Sequence, residues 1–164
     1  MQHAAFVPLR LFSAYTMLEG AMEPKAIAMR ARELGFPAAA LCDRNGLYAA
    51  PQFSSACADS GVQPIIGTLL CVERPDRPDV APQAFDWLVL LAQDEKGYDN
   101  LCALVSMAHL DRPLEQQAHV TFDQLEGWTD SLICLTAGGE GALCRLLAEE
   151  QEHAAFQYAD RLLQ

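Results

Sequence analysis

The sequence lacks the features that would place it in a membrane or a secretory route. Its longest apolar runs, such as residues 87–92, are far shorter than the roughly 20 residues that a membrane-spanning helix needs. The N-terminal residues also lack a basic region followed by an apolar stretch and a small-residue cleavage site. We therefore expect no secretory signal, no membrane span and a cytoplasmic location.

The sequence also has no close pair of cysteines and no paired histidines. Its six cysteines stand at irregular spacing inside apolar stretches, which predicts free, buried thiols instead of disulfides or a zinc knuckle. Its four histidines show no spacing that would bring two of them onto one face of a helix or strand. The sequence alone therefore predicts no metal ligand, no catalytic residue and no cofactor for this segment.

Positive charge is scarce, with 11 Lys and Arg residues against 22 Asp and Glu residues and a net charge of −11. The imbalance is uneven, because residues 1–50 carry five basic and four acidic side chains, whereas residues 51–164 carry six and eighteen. Such a negative surface repels phosphate backbones, so we do not expect this segment to bind nucleic acid directly. Solubility is favoured over a basic partner as the reason for the acidity.

What the sequence does contain is an alternation of short apolar runs with longer helical patterns, which predicts βα units and a parallel sheet. Strands are predicted at residues 6–12, 38–42, 63–72, 87–92 and 131–136. Helices are predicted from Pro24 to Gly35, over residues 48–60, over 94–108, after a Thr121 N-cap, and throughout residues 140–164. The proline-rich stretch 73–83 is predicted to be an exposed loop. The helical pattern continues to Gln164, which predicts that residues 1–164 are the N-terminal part of one domain in a longer polypeptide.

Few residues suggest chemistry without further information. Asp43 follows a predicted strand, where parallel α/β folds place their sites, but Arg44 beside it would neutralise it, and a structural role is favoured. A lone carboxylate such as Glu19 is a poor ligand set for a divalent ion, so a helix cap or a bond to a nearby amide is expected. Residues 137–141 (AGGEG) could present backbone amides to an anion, although a plain strand-to-helix turn is favoured.

Ordered blocks of the sequence resemble a known family. These blocks are FVPLRLFSAYTMLEGA, ARELGFPAAALCDRNGLYAA, GVQPIIGTLL, WLVLLAQDEKGYDNLCALVSMA and SLICLTAGGEG. In order and spacing they resemble the N-terminal PHP (polymerase and histidinol phosphatase) domain of the bacterial replicative DNA polymerase III alpha subunit, over about residues 6–145. The resemblance implies a PHP-type distorted (β/α)7 TIM-like barrel, of which this chain would hold an N-terminal portion.

The resemblance also implies which positions would hold metal in family members that retain it. The His-x-His pair of the first strand falls at Arg10 and Phe12, an Asp corresponds to Glu19, and a His beside Asp43 corresponds to Arg44. A Glu corresponds to Leu69, a His to Trp87, and a Cys or His to Ala137. The vestigial metal-site positions are therefore Arg10, Phe12, Glu19, Asp43, Arg44, Leu69, Trp87 and Ala137.

These replacements imply a metal-free domain with a structural and interaction role in DNA replication. Its expected partners are the remaining domains of the polymerase subunit and the proofreading exonuclease subunit, and magnesium is expected only in the polymerase domain of the parent. Two other hypotheses stay open: an active metal-dependent phosphoesterase or exonuclease that uses Glu19 and Asp43, and an unrelated small α/β protein. Because a partial barrel leaves an open sheet edge, either self-association or cover by the last helices is expected.

Overall fold

A computed structural model describes residues 4–74 and 85–163, and its centre is a four-stranded sheet in the order β1-β2-β3-β4. The strands are β1 (Ala38–Leu41), β2 (Gln63–Glu73), β3 (Phe85–Ala92) and β4 (Leu132–Leu135). The helices are α1 (Pro24–Glu33), α2 (Ala50–Ser60), α3 (Glu95–Leu110), α4 (Phe122–Glu126), α5 (Ala142–Ala148) and α6 (Glu152–Leu162).

The last four predicted strands are confirmed, and so are the helix that opens at Pro24 and the Thr121 N-cap. Most of the predicted exposed loop, namely residues 75–83, lies outside the described residues.

The expectation of a parallel sheet is correct for β1 and β2 but wrong for the other strand pairs. β1 pairs parallel with β2, whereas β2 with β3 and β3 with β4 are antiparallel. The connection from β2 to β3 spans residues 74–84, which is shorter than the dozen or more residues of a parallel crossover. The two strands therefore reverse direction, as in a hairpin.

The pair β3 and β4 is antiparallel for a different reason, although helices lie between them. The end of β3 faces the start of β4, because Ala92 pairs with Leu132. Between these residues the chain runs through α3, forms a bridge from Val120 to Val72 near the opposite end of the sheet, and then passes through α4. This additional pass returns the chain to the edge where β3 ended, so β4 begins at that edge.

Residues 6–12 were expected to form the first strand and do not form a regular one. The segment makes one parallel bridge, between Leu11 and Leu41. The amide of Ala40 donates to the Pro8 carbonyl over 2.8 Å, and the amide of Cys42 donates to the Leu11 carbonyl over 2.8 Å. Pro8 has no N–H to add to a ladder, so the pairing stays short, yet the segment still lies parallel to β1.

Side chains of the sheet alternate between two apolar clusters, as the two-residue period of a strand requires. On one face, Leu70, Leu88 and Leu90 pack with α3 and α4. On the opposite face, Leu69 and Val89 pack with side chains from β1 and from the segment beside it. A third cluster joins α1 and α2 to β1. The second of these clusters is the one that contains the candidate site.

The predicted helical stretch 140–164 is interrupted instead of continuous. Glu150 adopts a φ of 59°, in the left-handed region, and separates α5 from α6. Tyr158 and Leu162 of α6 pack against the cluster formed by Leu88, Leu90 and Phe122. The last helices thus cover one face of the sheet, whereas Ile133 on the other face is 46% exposed. Within residues 4–74 and 85–163, none of the helices is both long and apolar enough to cross a membrane.

Candidate functional site

The positions singled out from the sequence come from six parts of the chain and meet at one end of the sheet. Arg10 and Phe12 lie on the segment beside β1, and Arg44 follows β1 and bridges to Leu69 of β2. The remaining positions lie in the loop after Ser13, near the start of β3 and directly after β4; they are Glu19, Trp87 and Ala137. Chain direction explains the convergence, because β1, β2 and β4 end where β3 begins.

An apolar layer forms the base of the site. Leu69 is fully buried, Ala137 is buried, and Phe12 and Trp87 pack against the same cluster as half-buried rings. These four side chains occupy positions where the resemblance places imidazole, carboxylate or thiolate ligands. The layer therefore presents ring faces and methyl groups toward the end of the sheet.

Two arginines lie on top of this apolar layer. The guanidinium carbon of Arg44 is 4.4 Å from the ring centre of Trp87 and 5.4 Å from that of Phe12. The guanidinium carbon of Arg10 is 5.3 Å from the Phe12 ring. All three contacts have the range of a cation–π interaction, which strengthens when the cation is shielded from water. The Arg44 side chain is only 19% exposed.

Two glutamates complete an alternating chain of charges. Arg44 donates from Nε and Nη2 to the two carboxylate oxygens of Glu19, each over 2.8 Å. Arg44 Nη2 also contacts Glu140, and Glu140 in turn pairs with Arg10. The Arg10 Nη1 atom donates to the Ala137 carbonyl over 3.2 Å. We call this set of four charged residues the ion-pair chain; its formal charges cancel.

The ion-pair chain was not fully foreseen from the sequence, because it depends on Glu140. This residue lies in the AGGEG turn (residues 137–141), where the backbone forms a single 3₁₀ turn over Gly138–Glu140. Its two carboxylate oxygens contact two arginines that are distant in sequence. The only sequence signal was a carboxylate in the turn that follows a predicted strand, and that position alone does not identify a partner.

Glu19 also corrects an expectation, since it neither caps a helix nor bonds to a nearby amide. Its carboxylate accepts both hydrogen bonds of the Arg44 guanidinium. The hydrogen bonds from Arg44 are the main cause that lowers the pKa of Glu19 below its ordinary value, and the charges of Arg44 and Arg10 add to this effect against the opposing effect of burial.

Asp43 is separate from the ion-pair chain, which corrects the expectation that Arg44 would neutralise it. Its Oδ1 accepts from the Ser13 amide over 2.8 Å and from the Thr16 hydroxyl over 2.8 Å, and its Oδ2 accepts from the Ser13 hydroxyl over 2.7 Å. The Asp43 side chain is buried, with 2% exposure. Asp43 therefore holds the loop that carries Glu19, and its oxygens are already occupied by donors.

A shallow cleft opens beside Arg44, with Asn45 and His109 on its wall. The Nε2 atom of His109 is 2.8 Å from the Asn45 carbonyl oxygen. Across residues 4–74 and 85–163, no group of three or more His, Cys, Asp or Glu side chains is arranged to hold a metal ion. The cleft is thus lined by one guanidinium, by amide and imidazole groups, and by carboxylates that are already in ion pairs.

Other sequence expectations have mixed outcomes. Cys42, Cys57 and Cys71 are free and buried as expected, whereas Cys134 and Cys144 are free but exposed. His119 is fully buried against the Phe85 ring, with a centroid distance of 4.7 Å, and its Nδ1 atom lies 2.7 Å from the Gln117 carbonyl oxygen, so it is a singly bonded core imidazole. His3 lies outside the described residues.

The fold and the site together define a mixed α/β domain in which charged side chains converge where the strands end. A family model described as "PHP domain" matches residues 8–164. The chain therefore belongs to the PHP domain family, and its fold is that of part of a PHP barrel. The hypothesis of an unrelated small α/β protein is accordingly wrong.

Named relatives come from two groups of bacterial polymerases. The chain is 40% identical over 148 residues to the DNA polymerase III subunit alpha of Caulobacter vibrioides, which covers 87% of this chain and 13% of that protein. It is 36% identical over 169 residues to an error-prone DNA polymerase of an Anaeromyxobacter species, covering 97% of this chain and 14% of that protein. The chain thus spans about an eighth of the length of these relatives.

Among solved structures, the chain is similar to an amidohydrolase from Chromobacterium violaceum. The TM-score is 0.48 at 20% sequence identity, and the match covers 64% of this chain and 34% of the other.

Replacement of Asp43 by Asn is expected to lower the free energy of unfolding by about 2–3 kcal/mol, because an amide cannot accept at both ends and leaves a buried donor unpaired. Chemical denaturation with a fluorescence or circular-dichroism readout measures the change. Asp99→Asn, at an exposed position of α3, is the matched control and should stay within about 0.5 kcal/mol of the native value. Equal effects of the two substitutions would contradict the role of Asp43.

Acid should remove the contribution of Glu19 to stability. Because the folded-state pKa of Glu19 is lowered, its contribution is present above the unfolded-state pKa of about 4.3 and is lost as the pH falls through the lower, folded-state pKa. The difference in unfolding free energy between the native chain and Glu19→Gln should therefore shrink as the pH falls from about 7 to about 3. A difference that stays constant with pH would show that the ion pair does not stabilise the fold.

Proposed function

We propose that this chain is a metal-free PHP domain that serves as a structural and interaction module of a bacterial replicative DNA polymerase subunit. The observation that carries the proposal is the ion-pair chain of Arg10, Glu140, Arg44 and Glu19 above the apolar layer. A catalytic metal centre keeps carboxylates and imidazoles free for the ion. Here the same region is filled by cations, ion-paired carboxylates and ring faces.

The fit of a metal ion to these residues is poor on three counts. Arg44 places a guanidinium 4.4 Å above the Trp87 ring, so a second cation would meet charge repulsion. Leu69 and Ala137 have no donor atoms and close the base of the site. The carboxylates of Glu19 and Glu140 are already engaged by arginine. No step of a reaction is therefore assigned to a metal in this domain.

The ion-pair chain would instead hold together the loops that a bound metal ion would otherwise connect. A bound ion joins several loops through its ligands, and here two guanidinium groups join the segment that carries Arg10 to three other segments of the chain. Glu140 comes from the turn after β4, Glu19 comes from the loop after Ser13, and Arg44 comes from the end of β1. Partial burial and two-point contacts make such a chain stronger than isolated surface pairs.

The alternative, an active phosphoesterase or exonuclease that uses Glu19 and Asp43, is less well supported. Asp43 accepts three hydrogen bonds through its two oxygens, and Glu19 is held by Arg44. Either carboxylate would have to break these contacts before it could bind an ion. Nothing among the described residues supplies a compensating set of ligands.

The parent protein is proposed to be the polymerase III alpha subunit, because relatives of that name match along most of the chain. Other domains of such a subunit are plausible partners of this one. We further propose the proofreading exonuclease subunit as a partner, and magnesium as the cofactor of the parent's polymerase domain alone. The net charge of −11 argues against direct contact of this segment with nucleic acid.

Metal analysis tests the proposal directly. After dialysis, the purified chain is expected to hold far less than one equivalent of zinc, manganese or iron, and chelator should leave its melting temperature unchanged, because no open ligand set is present. The variant Arg10→His, Phe12→His, Arg44→His is the matched control and is expected to gain zinc binding. Stoichiometric metal in the native chain, or a melting temperature lowered by chelator, would overturn the metal-free assignment.

The partner is tested separately by co-elution of the chain with the proofreading exonuclease subunit of the same organism in size-exclusion chromatography. A shared peak is expected for the native chain and for Arg44→Ala at a temperature where that variant stays folded, since the ion-pair chain is proposed to act inside the domain. Separate elution of the native chain would contradict the exonuclease as a partner and would leave the metal-free assignment intact.

A further inference from the structure

The helix α6 covers one face of the sheet but buries little of its own surface. Ala155 is the one buried residue along its length, and Phe156 beside it is 69% exposed. The buried residues of α3, for comparison, are Gly97, Asn100, Leu101, Leu104 and Ala108. A helix with few buried apolar contacts has a low free energy of local opening. We therefore expect α6 to be docked more weakly than α3.

Two cavities lie between α6 and the rest of the domain, and Arg161 lines both of them. The first has a volume of about 260 Å³, and Val72 and Tyr158 are among its lining residues. The second has a volume of about 480 Å³, and Leu90 and Leu162 are among its lining residues. Side chains that face such space lack the neighbours that a close-packed interior provides. The cavities thus explain why α6 buries so little.

The Tyr158 side chain on the inner side of α6 has an unsatisfied polar group. Its ring meets the Phe122 ring edge-on, with the centroids 5.6 Å apart. Its hydroxyl group is buried and has no hydrogen-bond partner among the described residues. A buried donor without an acceptor disfavours the docked position, because the same hydroxyl can bond to water once the helix moves away. Opening of α6 therefore relieves an unfavourable contact of the closed state.

The chain between α5 and α6 has the form of a hinge. Glu150 adopts a φ of 59°, and the amide of Gln151 donates to the Leu146 carbonyl over 2.8 Å, so α5 ends there in a compact turn. α6 then begins at Glu152 without a side-chain cap. Because each helix has its own set of backbone hydrogen bonds, rotation at Glu150 can move α6 without unwinding α5.

Arg161 holds the other end of α6 in place. Its Nε donates to Glu126 over 2.6 Å, and its Nη2 donates to Asp123 over 2.7 Å. Its guanidinium carbon lies 4.1 Å from the centre of the Phe122 ring. All three partners belong to α4, so this one side chain joins α6 to α4. The Asp123 and Glu126 side chains are 89% and 50% exposed, so water competes with Arg161 for both carboxylates.

We propose that α6 is a hinged helix, which opens as a unit about Glu150 when the contacts of Arg161 with α4 release. The closed position covers the apolar cluster that contains Leu88 and Leu90, and the open position uncovers it. The sheet and α3 stay folded in both positions, because their core does not depend on α6. The proposal rests on the packing of α6 and is independent of the proposed absence of a metal.

Hydrogen exchange of the whole chain, resolved residue by residue by NMR, tests the proposal. The amides of α6 should share one protection factor that is at least about a hundredfold lower than that of the buried amides of α3. Arg161→Ala should lower the protection of α6 about fivefold or more, since it removes two ion pairs and a cation–π contact. Tyr158→Phe should raise the protection of α6 about fivefold, because it removes a buried hydroxyl that has no partner.

The matched control is Arg30→Ala, which removes an exposed ion pair with Glu33 inside α1 and should leave the protection of α6 unchanged. Equal protection of α6 and α3 would overturn the proposal, because α6 would then open only when the whole domain unfolds. Protection that decreases gradually toward Leu162 would also overturn it, since that pattern indicates fraying from the end. Lower protection in Tyr158→Phe would show that the hydroxyl holds the helix closed, contrary to the proposal.

Discussion

The stacking of Arg44 on Trp87 and Phe12, together with its two-point bond to Glu19, is the interaction on which the end of the sheet depends. It joins a cation to an apolar surface on one side and to carboxylates on the other. Guanidinium suits this position because it is planar, remains charged and is weakly hydrated. Without Arg44, Glu19 would lose its ion-pair partner in the site, and Glu140 would keep only Arg10.

The family relationship gives this interaction its functional meaning. In this chain, which belongs to the PHP domain family, charged side chains from several loops meet where the strands end and pair with one another. A carboxylate bound to arginine is a poor ligand for a divalent ion, and a leucine or an alanine is none. The proposed loss of metal chemistry therefore follows from contacts made within the domain, and those contacts also keep the loops in place.

Two neighbouring sets of hydrogen bonds hold the loop after Ser13 in place. Asp43 fixes its start through Ser13 and Thr16, below the surface, and Arg44 fixes Glu19 nearer to solvent. The apolar residues between these anchor points face outward. Asp43 and Arg44, two consecutive residues that follow β1, thus position the same loop.

The sequence by itself determined the local elements and the family. Pro24 predicted where α1 begins, and Thr121 predicted the cap of α4, because these signals act within one turn of backbone. The family resemblance implied, as a prediction, that Arg10, Phe12, Arg44, Leu69 and Trp87 occupy ligand positions. Tertiary structure alone decided strand direction, since the antiparallel pairing of β3 with β4 depends on where the chain returns after α4.

Tertiary structure also decided which charges pair. Arg44 is adjacent to Asp43 in sequence but bonds to Glu19 and Glu140, and Asp43 turns to Ser13 and Thr16. The sequence does not predict which acidic residue pairs with which arginine, because an ion pair depends on distance and burial after folding. Glu140, for example, lies 130 residues from its partner Arg10 along the chain. Local signals specify helices and turns, whereas the partner of a charge is specified by the folded arrangement of the whole sheet.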